Sequence, residues 1–101
     1  MIVVVVTFQI SSELDAAVLK EKFLETAPLY KDAKGLIRKN YIADIENHHS
    51  GGVYCFDTIE NAKNWFDDER VEWITTRYSK PNIQFFDSPV VVDNVAGEII
   101  S

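Results

Sequence analysis

The chain opens with an unbroken apolar run over residues 2–6, within a segment rich in β-branched and aromatic side chains that extends to residue 10. A continuous run of this kind predicts a strand that is buried on both faces. Ser12 and Asp15 follow in a Ser-x-x-acid pattern, whose hydroxyl and carboxylate can accept hydrogen bonds from the free amides of a helix start. We therefore expect a helix to begin at about Glu13.

Apolar residues recur at helical spacing in the next segment and leave its charged residues for solvent. This stripe comprises Leu14, Val18, Leu19, Phe23 and Ala27. Pro28 cannot continue the amide ladder, so it either kinks this helix or opens a short second one that runs through Ala33. Gly35 is typical of a helix stop.

A hairpin is predicted next. Residues 36–45 have the composition of a long strand, residues 46–50 form a polar turn, and residues 53–56 form a second strand. Gly51 and Gly52 stand at the start of that second strand. Two glycines there imply a positive φ angle, a bulge, or close approach by another backbone or a ligand.

The rest of the chain adds helical and extended segments. A second helix is capped by Asp57 with Glu60, or by Thr58 with Asn61. Its apolar stripe comprises Ile59, Ala62, Trp65 and Phe66. A further helical turn or two is predicted over residues 70–78, a last strand over residues 83–87, and an aliphatic tail over residues 90–100.

The order βαββαβ predicts an α+β protein, the ferredoxin-like split unit, in which helices cover one face of a four-stranded antiparallel sheet. Apolar residues of both parities occur in the strands, for instance Ile37, Tyr41 and Ile45 against Leu36 and Ile42, so neither face suits water. A chain this small buries a second face most easily against its own copy. We expect one domain over residues 1–101 that forms a barrel-like homodimer, with the tail 89–101 docking on the partner.

Composition narrows the possible functions. The chain has 101 residues, 47% of them hydrophobic, which fits one domain with a modest core. A formal net charge of −6 disfavours nucleic acid and membrane surfaces as partners. Cys55 is the only cysteine, which excludes an internal disulfide and favours a cytoplasmic location. No run approaches the ~20 apolar residues that a membrane span needs.

Two stretches carry a family resemblance. Residues 35–39 read Gly-Leu-Ile-Arg-Lys, and residues 47–56 follow the pattern Asn-His-x-x-Gly-Gly-aliphatic-Tyr-x-Phe. Both resemble the YdhR-like monooxygenase family, and the similarity continues to residues 86–89 and the Val-rich segment beyond. The chain departs from the family at Lys34-Gly35-Leu36, where a Pro-Gly-Phe turn is usual, and aligns loosely over residues 57–80.

The resemblance implies the dimeric α+β barrel fold and, as function, a cofactor-independent monooxygenase. Such an enzyme adds oxygen to a small electron-rich aromatic substrate, such as a phenol or an anthrone, without flavin, haem or metal. The substrate itself supplies the electrons. The protein then needs a dry pocket between sheet and helices, a group that removes a proton, and donors that steady the resulting anion.

Candidate catalytic residues are His48 and Tyr54. An unperturbed imidazole titrates near neutrality, which suits His48 to a general base, although a solvated turn residue would look the same. Tyr54 can offer its phenol to a substrate oxygen, although a core aromatic would look the same. His48 and His49 lack the spacing of known metal sites, so no metal is predicted.

Candidate substrate-binding residues are Tyr41, Asn47, Trp65 and Arg77. Tyr41 lies on the strand beside Tyr54, and Asn47 opens the most specific part of the resemblance. Trp65 can stack on a planar substrate or simply pack in the core. Arg77 can hold an enolate or a carboxylate, or merely occupy the surface.

Two alternative functions stay open because the sequence shows no clustered acid, base and nucleophile. One is a non-catalytic module that binds small molecules. The other is a structural or interaction protein of the same fold whose pocket is filled by its own side chains.

Overall fold

Four strands and three helices build the main body of the protein, and a short hairpin ends it. In the computed structural model, which describes residues 1–101, the elements are β1 (Ile2–Gln9), α1 (Ala16–Lys31), β2 (Leu36–Asp44), β3 (His49–Phe56), α2 (Ile59–Trp65), α3 (Asp68–Arg77), β4 (Asn82–Asp87), β5 (Val91–Asp93) and β6 (Glu98–Ile100). The main sheet has the order β2-β3-β1-β4 with every neighbouring pair antiparallel. The predicted ferredoxin-like α+β fold is confirmed.

The central strand β1 explains the apolar run at the start of the chain. Val4 and Val6 are 0% and 1% exposed and face the helices, whereas Val3 and Val5 point to the other side of the sheet and are half-buried. The helix-facing core also includes Leu19 of α1, Ala62 of α2 and Ile74 of α3. Both faces of β1 are therefore apolar, as its sequence predicts.

Helix α1 begins later than the sequence pattern predicts. Asp15, not Ser12, is the N-cap, and its carboxylate accepts a hydrogen bond of 2.8 Å from the Val18 amide. Ser11 Oγ instead accepts from the Glu13 amide at 3.2 Å, within the turn before the helix. A carboxylate three residues before a free amide is an equally good cap, so the Ser-x-x-acid pattern misplaced the start.

Helix α1 runs through Pro28 to Lys31, so no second helix opens at the proline. In α2 the cap is Thr58, whose hydroxyl accepts from the Asn61 amide at 3.1 Å. Of the two caps that the sequence allowed, Thr58 with Asn61 is therefore the one that forms, and not Asp57 with Glu60.

Close approach of backbones explains Gly51. A Cβ at this position would overlap the carbonyl of Val6 on β1, so only glycine lets the two strands pair here. The bulge of the hairpin lies elsewhere, between Leu36 and Arg38 of β2. Because a bulge shifts the alternation of side chains by one residue, Tyr41 faces the helices while Ile37 is 57% exposed. The prediction that Ile37 and Tyr41 share one face is wrong for this reason.

The terminal hairpin of β5 and β6 pairs mainly with itself. It exposes large aliphatic side chains: Val92 is 64%, Val95 99% and Ile99 72% exposed. The Cα radius of gyration is 14.3 Å, above the roughly 13 Å expected of a compact chain of this length, because the hairpin projects. None of the three helices has the length and apolar character that crossing a bilayer requires.

Candidate functional site

An aromatic cleft lies between the sheet and helices α1 and α3. Its unoccupied volume is only about 20 Å³. Its lining consists of Phe8, Phe23, Thr26, Tyr30, Lys39, Tyr41, Gly51, Tyr54, Trp73, Ile74, Arg77 and Tyr78. The open space is enough for about one water molecule, so side chains of the protein itself fill most of the cleft.

Lys39 occupies the centre of a cage of tyrosine rings. Its Nζ lies 3.3 Å from the ring centroid of Tyr30, 3.7 Å from that of Tyr41 and 4.7 Å from that of Tyr54. The chain offers Nζ no carboxylate within 4.0 Å, since its one salt bridge involves other residues. An amine this poorly hydrated, with no opposite charge beside it, is unusual outside functional sites.

The amine of Lys39 is easily deprotonated. Removal from water, and to a smaller extent the positive charge of Arg70, lower its pKa from 10.5 to about 6. The faces of the tyrosine rings attract an ammonium ion and act in the opposite sense. A lysine whose pKa is brought towards neutrality can accept a proton at physiological pH.

Tyr41 is held rigidly at one side of the cage. Its hydroxyl lies 2.7 Å from Thr26 Oγ1, and its ring stacks on Phe23 with a centroid distance of 4.5 Å. Burial raises the pKa of Tyr41, so its hydroxyl stays protonated at neutral pH.

Tyr54 and Tyr30 form the floor of the cage. Tyr54 is 3% exposed and Tyr30 7% exposed, and their ring centroids are 5.8 Å apart. Burial, and then the neighbouring Tyr30, raise the pKa of Tyr54 far above its ordinary value. Tyr54 is consequently a hydrogen-bond donor and not a base.

Arg77 closes the cleft at the end of α3. Its Nη2 donates to Glu25 Oε2 at 2.9 Å and to the Lys22 carbonyl at 3.1 Å. The hydrogen bond to Glu25 raises the pKa of Arg77, which stays charged. This pair is the only salt bridge of the chain, so Glu25 already balances the charge of Arg77.

Trp65 lies beside the cage but does not line the cleft. Its ring centroid is 5.3 Å from that of Tyr30 and 4.1 Å from the guanidinium carbon of Arg70. The indole that does line the cleft is Trp73, which lies 5.2 Å from the same guanidinium carbon. Trp73 is therefore better placed than Trp65 to stack on a bound ring.

The structure brings together three of the six candidate residues, Tyr41, Tyr54 and Arg77, in one cleft. His48 and Asn47 lie apart from them, exposed in the turn between β2 and β3. Asn47 Nδ2 donates to Asp44 Oδ2 at 2.8 Å, and His48 adopts a positive φ of 54°. Both residues shape the turn, where Asn and His tolerate such backbone conformations.

The remaining chemically reactive residues do not converge. Cys55 lies on the sheet face opposite the helices, where partial burial raises the pKa of its thiol. His49 is exposed at the start of β3. The protein contains no group of three or more His, Cys, Asp or Glu side chains arranged to hold a metal ion.

Lys39 is the residue that the sequence analysis missed. A lysine in a strand is normally read as solvent-facing. The signal that identifies it is register: Lys39 pairs with Tyr54 across the hairpin and lies two positions from Tyr41, so all three share a face. When alternation is counted from Leu36 without the bulge between Leu36 and Arg38, Lys39 and Tyr41 fall on the opposite face of the strand from Leu36.

Several proteins of known structure share this fold. A protein described as a putative antibiotic biosynthesis monooxygenase from Deinococcus radiodurans has a TM-score of 0.68 at 14% identity, covering 92% of this chain and 97% of its own. SnoaB, a cofactor-independent oxygenase from Streptomyces nogalater, has a TM-score of 0.62 at 12% identity, covering 86% and 91%. A protein of unknown function from Nitrosomonas europaea, NE2512, has a TM-score of 0.65 at 13% identity, covering 84% and 85%. At these identities the similarity shows the shared fold.

The sequence places the chain within a particular family. The family model described as "Putative mono-oxygenase ydhR" matches residues 3–88, which include the whole four-stranded sheet apart from Ile2. The chain belongs to this family, as the resemblance at residues 35–39 and 47–56 predicted. No curated protein matches the chain significantly in sequence.

Proposed function

We propose that this protein is a monooxygenase that oxidises a small electron-rich aromatic substrate in the cleft between sheet and helices, without flavin, haem or metal. Family membership and the fold support oxygenase chemistry. The observation that carries the proposal is the amine of Lys39 inside a cage of three tyrosine rings. The site thus combines a proton acceptor with flat aromatic surfaces.

The reaction balances without a cofactor when the substrate is a dihydroxyaromatic. One atom of O₂ enters the ring, and the other leaves as water with two hydrogens of the substrate, so that a hydroquinone becomes a hydroxyquinone. The substrate gives up the electrons that reduce O₂. The protein has to ionise the phenol, because a phenolate passes an electron to oxygen far more readily than a phenol does.

Lys39 is the base in this mechanism, in place of His48. His48 is exposed in the turn, whereas the Lys39 amine lies within the cleft and has its pKa lowered to about 6. It takes the phenolic proton and then faces the phenolate as an ammonium ion, which stabilises the negative charge in a poorly hydrated site.

Tyr54 donates a hydrogen bond to the developing anion, and Tyr41 does so once it releases Thr26 Oγ1, to which it donates in the unliganded protein. Both keep their protons because burial raises their pKa values. Trp73 supplies the stacking surface, and Arg77 closes the end of the cleft. A substrate enters when the long, flexible side chain of Lys39 moves aside within the cleft, where its amine still reaches the phenol, since the unoccupied volume is too small for a ring.

The test is oxygen consumption by metal-free and flavin-free protein with a panel of dihydroxyaromatics and anthrones. Wild-type protein is expected to consume O₂ and release the hydroxylated or quinone product. Lys39→Met should lose turnover by roughly 100-fold or more, as expected for removal of a general base. Lys20→Met, which removes an exposed lysine of α1, is the matched control and should behave as the wild type. Equal rates in all three proteins would exclude the cleft as the active site.

A second candidate function is a non-catalytic binding module. The aromatic rings around Lys39 favour it, because such a cage can hold a ligand without doing chemistry. The tightly filled cleft favours instead the structural or interaction protein, whose pocket is filled by its own side chains. The binding module predicts that aromatic compounds raise the melting temperature without any oxygen uptake. Turnover in the panel above rules it out.

We also propose that a second copy of the chain covers the open face of the sheet. Val3, Val5, Val53 and Phe86 lie on that face, and Phe86 is 48% exposed. A sheet face this apolar is normally covered, and two-fold pairing of identical faces is the simplest way to do so. The projecting β5–β6 hairpin would dock on the partner, in a cytoplasmic homodimer.

Sedimentation at micromolar concentration tests this association. Wild-type protein should sediment as a dimer, and Val5→Lys, in the middle of the open face, as a monomer. Leu24→Lys, which adds the same charge on the exposed side of α1, should remain a dimer. A wild-type monomer that is folded and stable would overturn the proposal.

A further inference from the structure

Three side chains in or beside the cleft present buried N–H donors that have no acceptor: Trp65 Nε1, Arg70 Nε and Arg77 Nε. Arg77 makes its hydrogen bonds through Nη2, to Glu25 and Lys22, whereas Trp65 and Arg70 have no such partner for their side chains. Their side chains are in contact, with the guanidinium carbon 4.1 Å from the Trp65 ring. A buried donor without an acceptor destabilises the folded protein, and more so when it is charged. Two of them on touching side chains point to a missing acceptor.

The charge of Arg70 also has no partner. No carboxylate lies within 4.0 Å of its guanidinium, since the only salt bridge joins Arg77 to Glu25. Asp67 accepts a hydrogen bond of 2.8 Å from the backbone amide of Arg70 as the N-cap of α3, and Glu69 is exposed. Both acidic residues line a surface depression on the outer side of Arg70 and Trp73. A half-buried arginine without a counter-charge is rare in a protein whose net charge is −6.

Arg70 is electrostatically part of the cleft. Its positive charge lowers the pKa of Lys39 and acts in the same direction on Tyr30 and Tyr54. Trp73 lies between the cleft and Arg70, because it lines the cleft and its ring centroid is 5.2 Å from the Arg70 guanidinium carbon. A flat ligand in the cleft therefore has its edge close to Arg70.

We propose that Arg70 and Trp65 form an anion subsite at the edge of the cleft, and that the ligand is an aromatic hydroxy acid whose carboxylate binds there. This inference rests on the proposed function in assigning the cleft to the aromatic ring. A carboxylate offers the acceptors that Arg70 Nε and Trp65 Nε1 lack, and the planar guanidinium fork matches its geometry. Lys39 then meets the hydroxyl of the ring, so that proton removal and anchoring fall to different residues.

The groups around Lys39 are consistent with proton removal by Lys39 and anchoring of the carboxylate by Arg70. They are Tyr30 on α1, Tyr41 on β2, Tyr54 on β3 and Arg70 on α3, with Arg77 and Tyr78 in the same cleft. None of these groups is a carboxylate, so the only negative charge beside the cleft is that of Glu25, which is paired with Arg77.

The test measures binding and turnover of three probes that share one ring: gentisate, its methyl ester and its amide. Only gentisate carries a carboxylate. Titration of the tryptophan fluorescence should give a Kd for gentisate about tenfold or more below those of the ester and the amide, the range expected of hydrogen bonds to a charged group. Arg70→Gln should bring the three Kd values together. Arg70→Lys, which keeps the charge, should retain part of the preference, and Lys20→Gln should retain all of it.

The outcomes separate this inference from the proposed function. Tight binding of gentisate without oxygen uptake supports the anion subsite and contradicts the monooxygenase. Oxidation of all three probes with equal Kd and kcat/KM supports the monooxygenase and overturns the subsite. A preference for gentisate that survives in Arg70→Gln, with the fold confirmed by its circular dichroism, also overturns it. Failure of all three probes to bind contradicts the assignment of an aromatic acid.

Discussion

Replacing Lys39 by Met is expected to stabilise the folded protein at neutral pH, because the lysine is an amine held out of water. The pKa of Lys39 is lowered from 10.5 to about 6 in the folded protein, whereas the unfolded chain keeps the ordinary value. Between these two values the unfolded state binds one proton more than the folded state. The free energy of unfolding of the wild type must therefore rise with pH across this window.

The size of the effect follows from this difference of one proton. It changes the free energy of unfolding by roughly 1.4 kcal/mol per pH unit. From about pH 7 to about pH 9, the wild type should gain roughly 2 to 3 kcal/mol that the Lys39→Met variant does not gain. Attraction of the ammonium ion to the tyrosine rings raises the pKa of Lys39 in the folded protein. The increase in the free energy of unfolding near neutrality is then smaller, but its sign is unchanged.

The tyrosines of the cage impose an upper limit on this trend. Burial raises the pKa values of Tyr30, Tyr41 and Tyr54 above 10.0, so their unfolded counterparts ionise first. Above about pH 10 the folded state then holds more protons than the unfolded state, and stability falls again. The wild type should reach its maximum stability at mildly alkaline pH.

Urea unfolding followed by tryptophan fluorescence measures this at a series of pH values and a fixed protein concentration. The difference in free energy of unfolding between Lys39→Met and the wild type should be largest near neutrality and should shrink as the pH rises. Lys20→Met should show no such dependence. A difference for Lys39→Met that is the same at every pH would refute the claim that this amine is desolvated in the cleft.

Three further predictions concern the framework of the site. Gly51→Ala should lower the free energy of unfolding by about 3 kcal/mol or more, because its Cβ would overlap a carbonyl of β1. Gly97→Ala, in open space at a φ of 71°, should lower it by only ~1 kcal/mol through backbone strain. Urea unfolding of the two variants measures both effects. Asp15→Ala should cost ~1 kcal/mol through loss of the α1 cap, while Ser12→Ala should cost less than about 0.5 kcal/mol. His48→Ala should leave oxygen uptake unchanged, since this residue is exposed in the turn, and a loss of turnover would restore it as a candidate base.

The order of elements was predictable because each has a local signal. The unbroken apolar run of β1, the helical stripe that contains Leu19, and the glycines at the start of β3 are all consequences of short-range geometry. Tyr41 and Tyr54 could be predicted to lie together for the same reason, since they occupy adjacent strands of one hairpin.

The position of Lys39 was not predictable at the same level. It depends on a bulge between Leu36 and Arg38, and nothing in the composition of that segment requires an extra residue there. The contact between Arg70 and Trp65 depends in turn on how α2 and α3 pack on the sheet. His48 attracted attention by its chemistry alone, and side-chain chemistry carries no information about which way a turn residue points.

Oxidation of a dihydroxyaromatic under isotopically labelled O₂, with the product analysed by mass spectrometry, tests this mechanism most directly. The product is expected to carry one labelled oxygen atom, the second labelled atom should appear in water, and Lys39→Met should form little of this product. A product without label, or the same labelled yield from Lys39→Met as from the wild type, would contradict it.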